Sequence, residues 1–318
     1  AIKSLVSMLY KHFNKQVYVL IDEYDVPLAK AQAHGYHKDM VTLMSSFLDF
    51  LKDPQKDPEK NTSVISKVVV TGCLKVAKNS IFTGVNNLTV NTVISTDMDL
   101  TGIIGFTKDE TYKFLEDYEM DDYAQVVKNN YDGYKFCDKE MFCPWDVVNF
   151  IKENYKNNLN GHVELVKANN YWANSSSDSA LGEYLGYLTD SDTQKMQDLV
   201  DGKSISFQLN DSMNYDCLSE HDPNDFWSLL LHTGYLTLDW DKSNNKELRK
   251  DSESDKDVFV RLPNLEILEC FRKNIKERFS SDFVKHNLHN KLVDAFACGK
   301  QVEITNIFFD MLQKYVSI

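Results

Sequence analysis

The residues with the clearest chemistry are three acids at the end of one apolar run. Val17-Tyr18-Val19-Leu20-Ile21 is unbroken and rich in β-branched residues, and it stops abruptly in Asp22-Glu23-Tyr24-Asp25. Side chains alternate along a strand, so two acids in succession at its end turn to opposite sides. One carboxylate can then hold the hydrated shell of a divalent cation while its neighbour polarises an attacking water, the division of labour that hydrolysis of a phosphoanhydride requires. The same pattern also describes a strand that ends in solvated acids. An acid/base hydrolase using Asp22, Glu23 and Asp25 would need a partner carboxylate across a cleft, and the sequence identifies none. The His residues are scattered, with no Cys or Ser elbow nearby, so nucleophilic catalysis has no support.

The elements that must position these acids follow from hydrophobic periodicity. Continuous apolar character over residues 17–21 predicts a strand covered on both faces, as in a parallel sheet. Ahead of it, Ile2, Leu5, Val6, Leu9 and Phe13 lie on one face of a helix; behind it, Met40, Leu43, Met44, Phe47, Leu48 and Leu51 form a second helical stripe. That stripe stops at Lys52-Asp53-Pro54, and after a polar loop Val64-Ile65 and Val68-Val69-Val70 predict a second buried strand ending in Thr71-Gly72. Strand, helix, loop and strand make one βαβ unit with a right-handed crossover.

Beyond it the pattern changes. Residues 76–105 contain a loop with Gly84-Val85-Asn86-Asn87 and a weak strand near Leu88 to Ile94. Thr107-x-x-Glu110 is a capping box, and Pro144 opens a helix carrying Trp145, Val148, Ile151 and Tyr155. From about residue 160 helices alternate with short strands. Phe226-Trp227-x-x-Leu230-Leu231-x-x-Gly234 reads as a helix and its stop, Tyr235 to Leu238 as a strand, and Val258 to Leu262 as a strand returning after a charged segment, the outline of a winged helix. Helical segments at about 264–279, 283–298 and 304–316 close the chain.

Composition sets the limits. With 42% apolar and 12% aromatic residues over 318 positions, the chain can bury a large core over two domains, and disordered or low-complexity classes are excluded. No apolar run approaches the roughly 18 to 20 residues of a membrane span and no signal peptide opens the chain, so a cytoplasmic protein with no membrane partner is expected. A net charge of −13 argues against bulk electrostatic binding to nucleic acid. Only four residues are Arg (249, 261, 272 and 278), so the segment holding the acids has none. The six Cys (73, 137, 143, 217, 270 and 298) show no C-x-x-C pairing, and reduced, buried thiols are expected. The chain starts at Ala1 within a helical pattern and ends within another, as a piece cut from a longer protein would.

An Asp-Glu strand end in a P-loop NTPase is accompanied by a Gly-Lys-Ser/Thr phosphate loop, and these residues contain none. Gly202-Lys203-Ser204 has Gln197 where the first Gly belongs and follows a helix, so it reads as a helix stop. In the common ATPase order the missing loop would lie upstream of Ala1. Several ordered blocks nevertheless resemble one family: residues 17–28 (VYVLIDEYDVPL), residues 71–88 (TGCLKVAKNSIFTGVNNL), Gly105-Phe106-Thr107, Tyr131-Asp132-Gly133-Tyr134 with Pro144-Trp145, Tyr171-Trp172, Leu231-x-Thr233-Gly234-Tyr235-Leu236-Thr237 and Leu262-Pro263-Asn264-x-Glu266. In that order they look like the predicted AAA-ATPase-like family, whose members join a P-loop ATPase core to a helical and winged-helix region and a PD-(D/E)XK nuclease-like module.

The resemblance implies an α/β fold followed by mostly α structure: a partial P-loop NTPase with a parallel sheet at 1–105, a helical lid at 106–160, a helical and winged-helix-like region at 161–280, and C-terminal helices at 281–318. It implies ATP and Mg²⁺ as cofactors in the complete protein, hydrolysis of ATP controlling an attached nuclease-like effector, and little turnover by this chain alone. Asp22 matches the Mg²⁺-linked carboxylate and Glu23 the base. Thr71 matches a sensor that would contact the γ-phosphate or the lytic water, against the alternative of a strand-end hydroxyl bonding locally. Lys75 stands where the family often shows Arg; it can neutralise phosphate, but it lacks the planar, bidentate guanidinium of a finger. The alternative is a degenerate, non-catalytic scaffold. In it the winged helix would bind protein or nucleic acid, through the Lys242 to Lys250 loop with Arg272, Lys273, Lys276 and Arg278 on that surface, although a solvated helix face explains the same charges. A homo-oligomer is compatible with either.

Overall fold

The computed structural model describes residues 2–52, 56–57, 59–73, 88–94, 102–136, 139–172, 192–210, 222–242, 257–285 and 288–315. Their content is mixed α/β, with eleven helices and eight strands among the described residues. The chain divides into two compact units, residues 1–92 with 210–233 and residues 93–209 with 234–318. No described helix is long and apolar enough to cross a membrane.

The first unit is built around α1 (Ile2–Phe13), β1 (Val17–Ile21), α2 (Val26–Ala33), α3 (His37–Leu48) and β2 (Ile65–Val70). β1 and β2 pair in parallel, with Leu20 opposite Val69 and Ile21 opposite Val70. Val6 and Tyr10 of α1 pack with Val64 against Val17, Val19 and Ile65, which covers one face of the pair. The other face is bare: Tyr18 is 66% and Leu20 75% exposed, and Val69 is exposed beside them. The expectation of a strand covered on both faces is therefore corrected. Among the described residues the sheet has two strands, and a helix lies on one side only. The α1 stripe is also narrower than its periodicity suggested, since Val6 and Tyr10 are buried whereas Leu5 and Phe13 face solvent. Helix α2 was not evident from the sequence. Pro27 sits in its first turn, where a missing N–H costs nothing. A further helix of this unit, α8 (Pro223–His232), is capped by Asp222, whose side chain accepts from the Asn224 N–H at 2.8 Å, and it buries Phe226, Trp227 and Leu229 to Leu231.

In the second unit, β3 (Phe106–Thr107), β4 (Tyr134–Phe136) and β5 (Lys139–Phe142) form an antiparallel sheet in the order β3-β5-β4. Around it lie α4 (Lys108–Asp117), α5 (Ala124–Tyr131) and α6 (Pro144–Leu159). The capping box is present: the Thr107 hydroxyl accepts from the Glu110 N–H at 3.3 Å while the Glu110 carboxylate accepts from the Thr107 N–H at 2.9 Å. Leu115, Val127, Tyr131, Phe142, Val147, Phe150 and Ile151 close a core. The buried face of α6 is Asp146, Val147, Phe150, Ile151 and Asn154, whereas Trp145 and Val148 are exposed, so the inward stripe is rotated from the expected one. The weak strand expected at 88–94 is not formed.

The rest of this unit comprises α7 (Thr193–Val200), β6 (Ile205–Gln208), β7 (Thr237–Leu238), β8 (Asp257–Arg261), α9 (Leu265–Lys285), α10 (Leu288–Ala297) and α11 (Gln301–Tyr315). Gly202 follows α7 at φ +78°, the left-handed stop read from Gly-Lys-Ser. β8 returns antiparallel to β7, Leu238 opposite Val260, and also pairs with β6. α9 packs on α5 and α7, and α10 packs on both α9 and α11. Lys75, Asn86, Asn87 and residues 243–250 of the basic loop lie outside the described residues, as does the side chain of Arg278.

Candidate functional site at the end of the parallel strands

The acids and the threonine meet because the parallel register continues beyond the strands. The Thr71 N–H donates to the Ile21 carbonyl at 2.9 Å, and the Tyr24 N–H donates back to the Thr71 carbonyl at 3.0 Å. Two parallel strands ending together thus set Asp22 beside Thr71, whose hydroxyl donates to an Asp22 carboxylate oxygen. Asp22 and Glu23 are both exposed. Glu23 takes φ 51°, a left-handed conformation uncommon for a residue with a side chain, so the strand's alternation breaks at the second acid.

The third acid has another role. Asp25 is 1% exposed and accepts from the Cys73 N–H at 3.1 Å, while its carbonyl takes the Leu28 and Ala29 N–H groups that begin α2. It ties the turn after β1 to the turn after β2. Gly72 makes that closeness feasible: a Cβ there would lie 2.5 Å from the Tyr24 ring and 2.6 Å from the Asp25 carboxylate. The sequence signal for this contact was the Gly that follows Thr71. Desolvation by the atoms packed around the turn, then the Asp25 and Glu23 charges, push the Cys73 thiol up even though the residue still reaches solvent. Cys73 and Cys298 are exposed and Cys143 is half-buried; the expectation of buried thiols holds for Cys270.

Carboxylates with a hydroxyl are hard oxygen donors suited to Mg²⁺, which keeps several waters and binds through one or two protein carboxylates together with substrate phosphates. Asp22 with Thr71 fits that demand, and no cluster of three or more His, Cys, Asp or Glu with metal-binding geometry occurs among the described residues. Lys75, the one cation assigned to this site, lies outside them.

The other sequence blocks converge in the second unit, around a buried pair of acids. Asp146 and Glu266 are 2% and 1% exposed and lie side by side with Cys143, and one Asp146 carboxylate oxygen is buried without a hydrogen-bond partner. Glu266 accepts from the Trp172 N–H at 2.8 Å, and the Trp172 ring meets Tyr235 edge-on at 5.2 Å. The Tyr134 hydroxyl donates to the Gly234 carbonyl at 2.7 Å, and the Asn264 amide to the Asp132 carbonyl at 2.9 Å. Gly133, at φ +106°, lies so close to Pro263 that a Cβ would fall 1.8 Å from its carbonyl oxygen. Burial raises the Asp146 carboxyl, although hydrogen bonds from Cys143 and Glu266 oppose that. Burial and Asp146 push the Cys143 thiol up to about 12. This constellation is an interlock of packed backbone and buried polar contacts, which sequence spacing did not reveal.

Residues 1–82 match a family model, AAA-ATPase_like, described as "Predicted AAA-ATPase". No curated protein and no solved structure matches the chain. The matched stretch, 82 of 318 residues, is about a quarter of the chain and contains α1, β1, α2, α3, β2 and the acids they position. The match makes the segment that holds Asp22, Glu23 and Thr71 similar to that family.

Proposed function

We propose that the first unit supplies the Mg²⁺- and water-handling half of an ATP-hydrolysing site. Asp22 holds the cation's hydration shell, Glu23 accepts a proton from the attacking water, and Thr71 orients Asp22 and senses the γ-phosphate. The observation that carries this reading is the Thr71 hydroxyl bonded to Asp22 at the shared end of two parallel strands. Crevices beyond the carboxyl ends of parallel strands are where α/β folds bind ligands. When bound, Mg²⁺ would neutralise charge on the terminal phosphates. Glu23, exposed and thrown out of the strand's alternation, is free to face a water that Asp22 does not contact. Lys75 is proposed as an additional phosphate-neutralising charge, and a nuclease-like module as the effector that hydrolysis controls.

The test needs a protein that joins these residues to a Gly-Lys-Ser/Thr phosphate loop. In it, Glu23→Gln should lower ATP turnover about 100-fold or more with nucleotide binding retained, because loss of a positioned base costs roughly 10² to 10⁴. The 318-residue chain alone should release phosphate no faster than buffer. Unchanged turnover in Glu23→Gln would remove the assignment of the base.

A second reading is a non-catalytic scaffold that uses a winged helix. In its favour, no Arg precedes Arg249, and the order α8, β7, β8 with β7 antiparallel to β8 follows the winged-helix outline. Nucleotide binding with no turnover in the loop-bearing protein, together with DNA affinity that falls steeply with salt, would favour it.

A further inference from the structure

A groove in the second unit, separate from the ATP half-site, has the make-up of a binding site. It has a volume of about 370 Å³, within the usual range for small-ligand pockets, and lies where α5, α7 and the β8–α9 junction meet. Leu199, Leu262, Leu265 and Leu268 give it an aliphatic lining, with Arg261 and Asn129 as polar groups. No Asp or Glu lines it.

The donors and acceptors in this groove are unequal. Asn264, at its edge, is already used at both ends, donating to the Asp132 carbonyl at 2.9 Å and accepting from the Ile267 N–H at 3.0 Å. Asn129 accepts through its carbonyl oxygen from the Gln125 amide at 2.7 Å, which leaves its own NH₂ as a donor. Arg261 spends one N–H on the Leu262 carbonyl at 3.4 Å and has no carboxylate within ion-pair distance among the described residues. It interacts electrostatically with buried Asp132, which also faces Lys128 at 4.0 Å. A guanidinium with N–H groups to spare and an open amide N–H₂, in a groove that no carboxylate lines, suit an anion with acceptor oxygens. The leucine walls require that the anion carry an aliphatic body, which a bare phosphate lacks. In a chain of net charge −13, such a spot is selective because most of the surrounding surface repels the same ligand.

We propose that this groove binds an aliphatic carboxylate, its oxygens on Arg261 and Asn129 and its carbon chain over the leucines. Two sources share that chemistry, the C-terminal residue of a peptide and a free branched-chain acid. The experiment is a titration of the chain, followed by NMR or calorimetry, with 4-methylpentanoate, N-acetyl-leucine, N-acetyl-leucine amide, a tetrapeptide ending in Leu with a free carboxylate, and inorganic phosphate. 4-Methylpentanoate and N-acetyl-leucine should both bind at least tenfold more tightly than the amide and than phosphate. Arg261→Gln should weaken them at least tenfold without changing the melting temperature, and Asn129→Ala, at an exposed helical position, should weaken them to a smaller degree. A tetrapeptide tighter than 4-methylpentanoate assigns the groove to a peptide C terminus, and the reverse order assigns it to a free acid. Equal binding of acid and amide, phosphate binding as tight as the acids, or an unaffected Arg261→Gln overturns the proposal.

Discussion

Two pairs of acids, one in each unit, sit in opposite surroundings. In the first, Asp22 and Glu23 stand exposed at a strand end, with one hydroxyl on Asp22. In the second, Asp146 and Glu266 are almost wholly buried side by side, and Glu266 accepts from a backbone N–H. An exposed carboxylate keeps its charge and its free lone pairs, so it can meet a cation or a water. A buried one must share protons and donors or be destabilising, since a lone charge out of water costs several kcal/mol. The contrast separates acids available for chemistry from acids that hold the fold, a distinction that residue type alone does not carry.

The strongest way to test the rigid side of this contrast is Gly133→Ala. A methyl group there would overlap a backbone carbonyl that cannot swing aside, at a φ that side chains rarely adopt. The second unit should lose about 3 to 5 kcal/mol, read as a lowered urea midpoint, and a variant as stable as the parent would mean the interlock is loose.

Asp146→Asn probes the acid pair itself. Because the folded-state carboxyl is raised above its ordinary 3.8, its stabilising effect is complete below that value and fades as pH rises through the folded pKa. Melting temperature should therefore fall from acid towards neutral pH in the parent. The Asn variant, which never has to carry that charge, should show a flatter profile and melt higher at neutral pH. Identical profiles would place the pH dependence elsewhere.

The smallest effect belongs to Asp22→Asn. An exposed side chain with one hydroxyl donor should change stability by no more than about 1 kcal/mol, even though the proposed cation binding is lost. Cooperative unfolding several kcal/mol easier would make Asp22 a structural residue and erase the contrast.

Local patterns were well marked in the sequence where they depend on neighbours along the chain. The capping box at Thr107, the Pro144 helix start, the stop at Gly202 and the βαβ outline all came from spacing within one or two turns. Errors arose where burial was decided by distant segments. The run at residues 17–21 looked doubly covered because every residue is apolar, yet Tyr18 and Leu20 are open. Of the α6 stripe Trp145, Val148, Ile151 and Tyr155, the core keeps Ile151 and Tyr155, leaves Trp145 and Val148 in solvent, takes Val147 and Phe150 instead and admits Asp146, an acid no hydrophobic count would place inside.

Sequence by itself therefore determined which residues could do chemistry, an apolar strand ending in two acids and a second strand ending in Thr71, because strand alternation and strand ends are local properties of the backbone. Tertiary structure alone decided which acids remain free. Parallel pairing set Thr71 on Asp22, the approach of Gly72 enclosed Asp25, and the meeting of α6 with α9 buried Asp146 against Glu266. Each of these depends on which segments exclude water from which side chain, and that is fixed only when residues far apart in the chain come together.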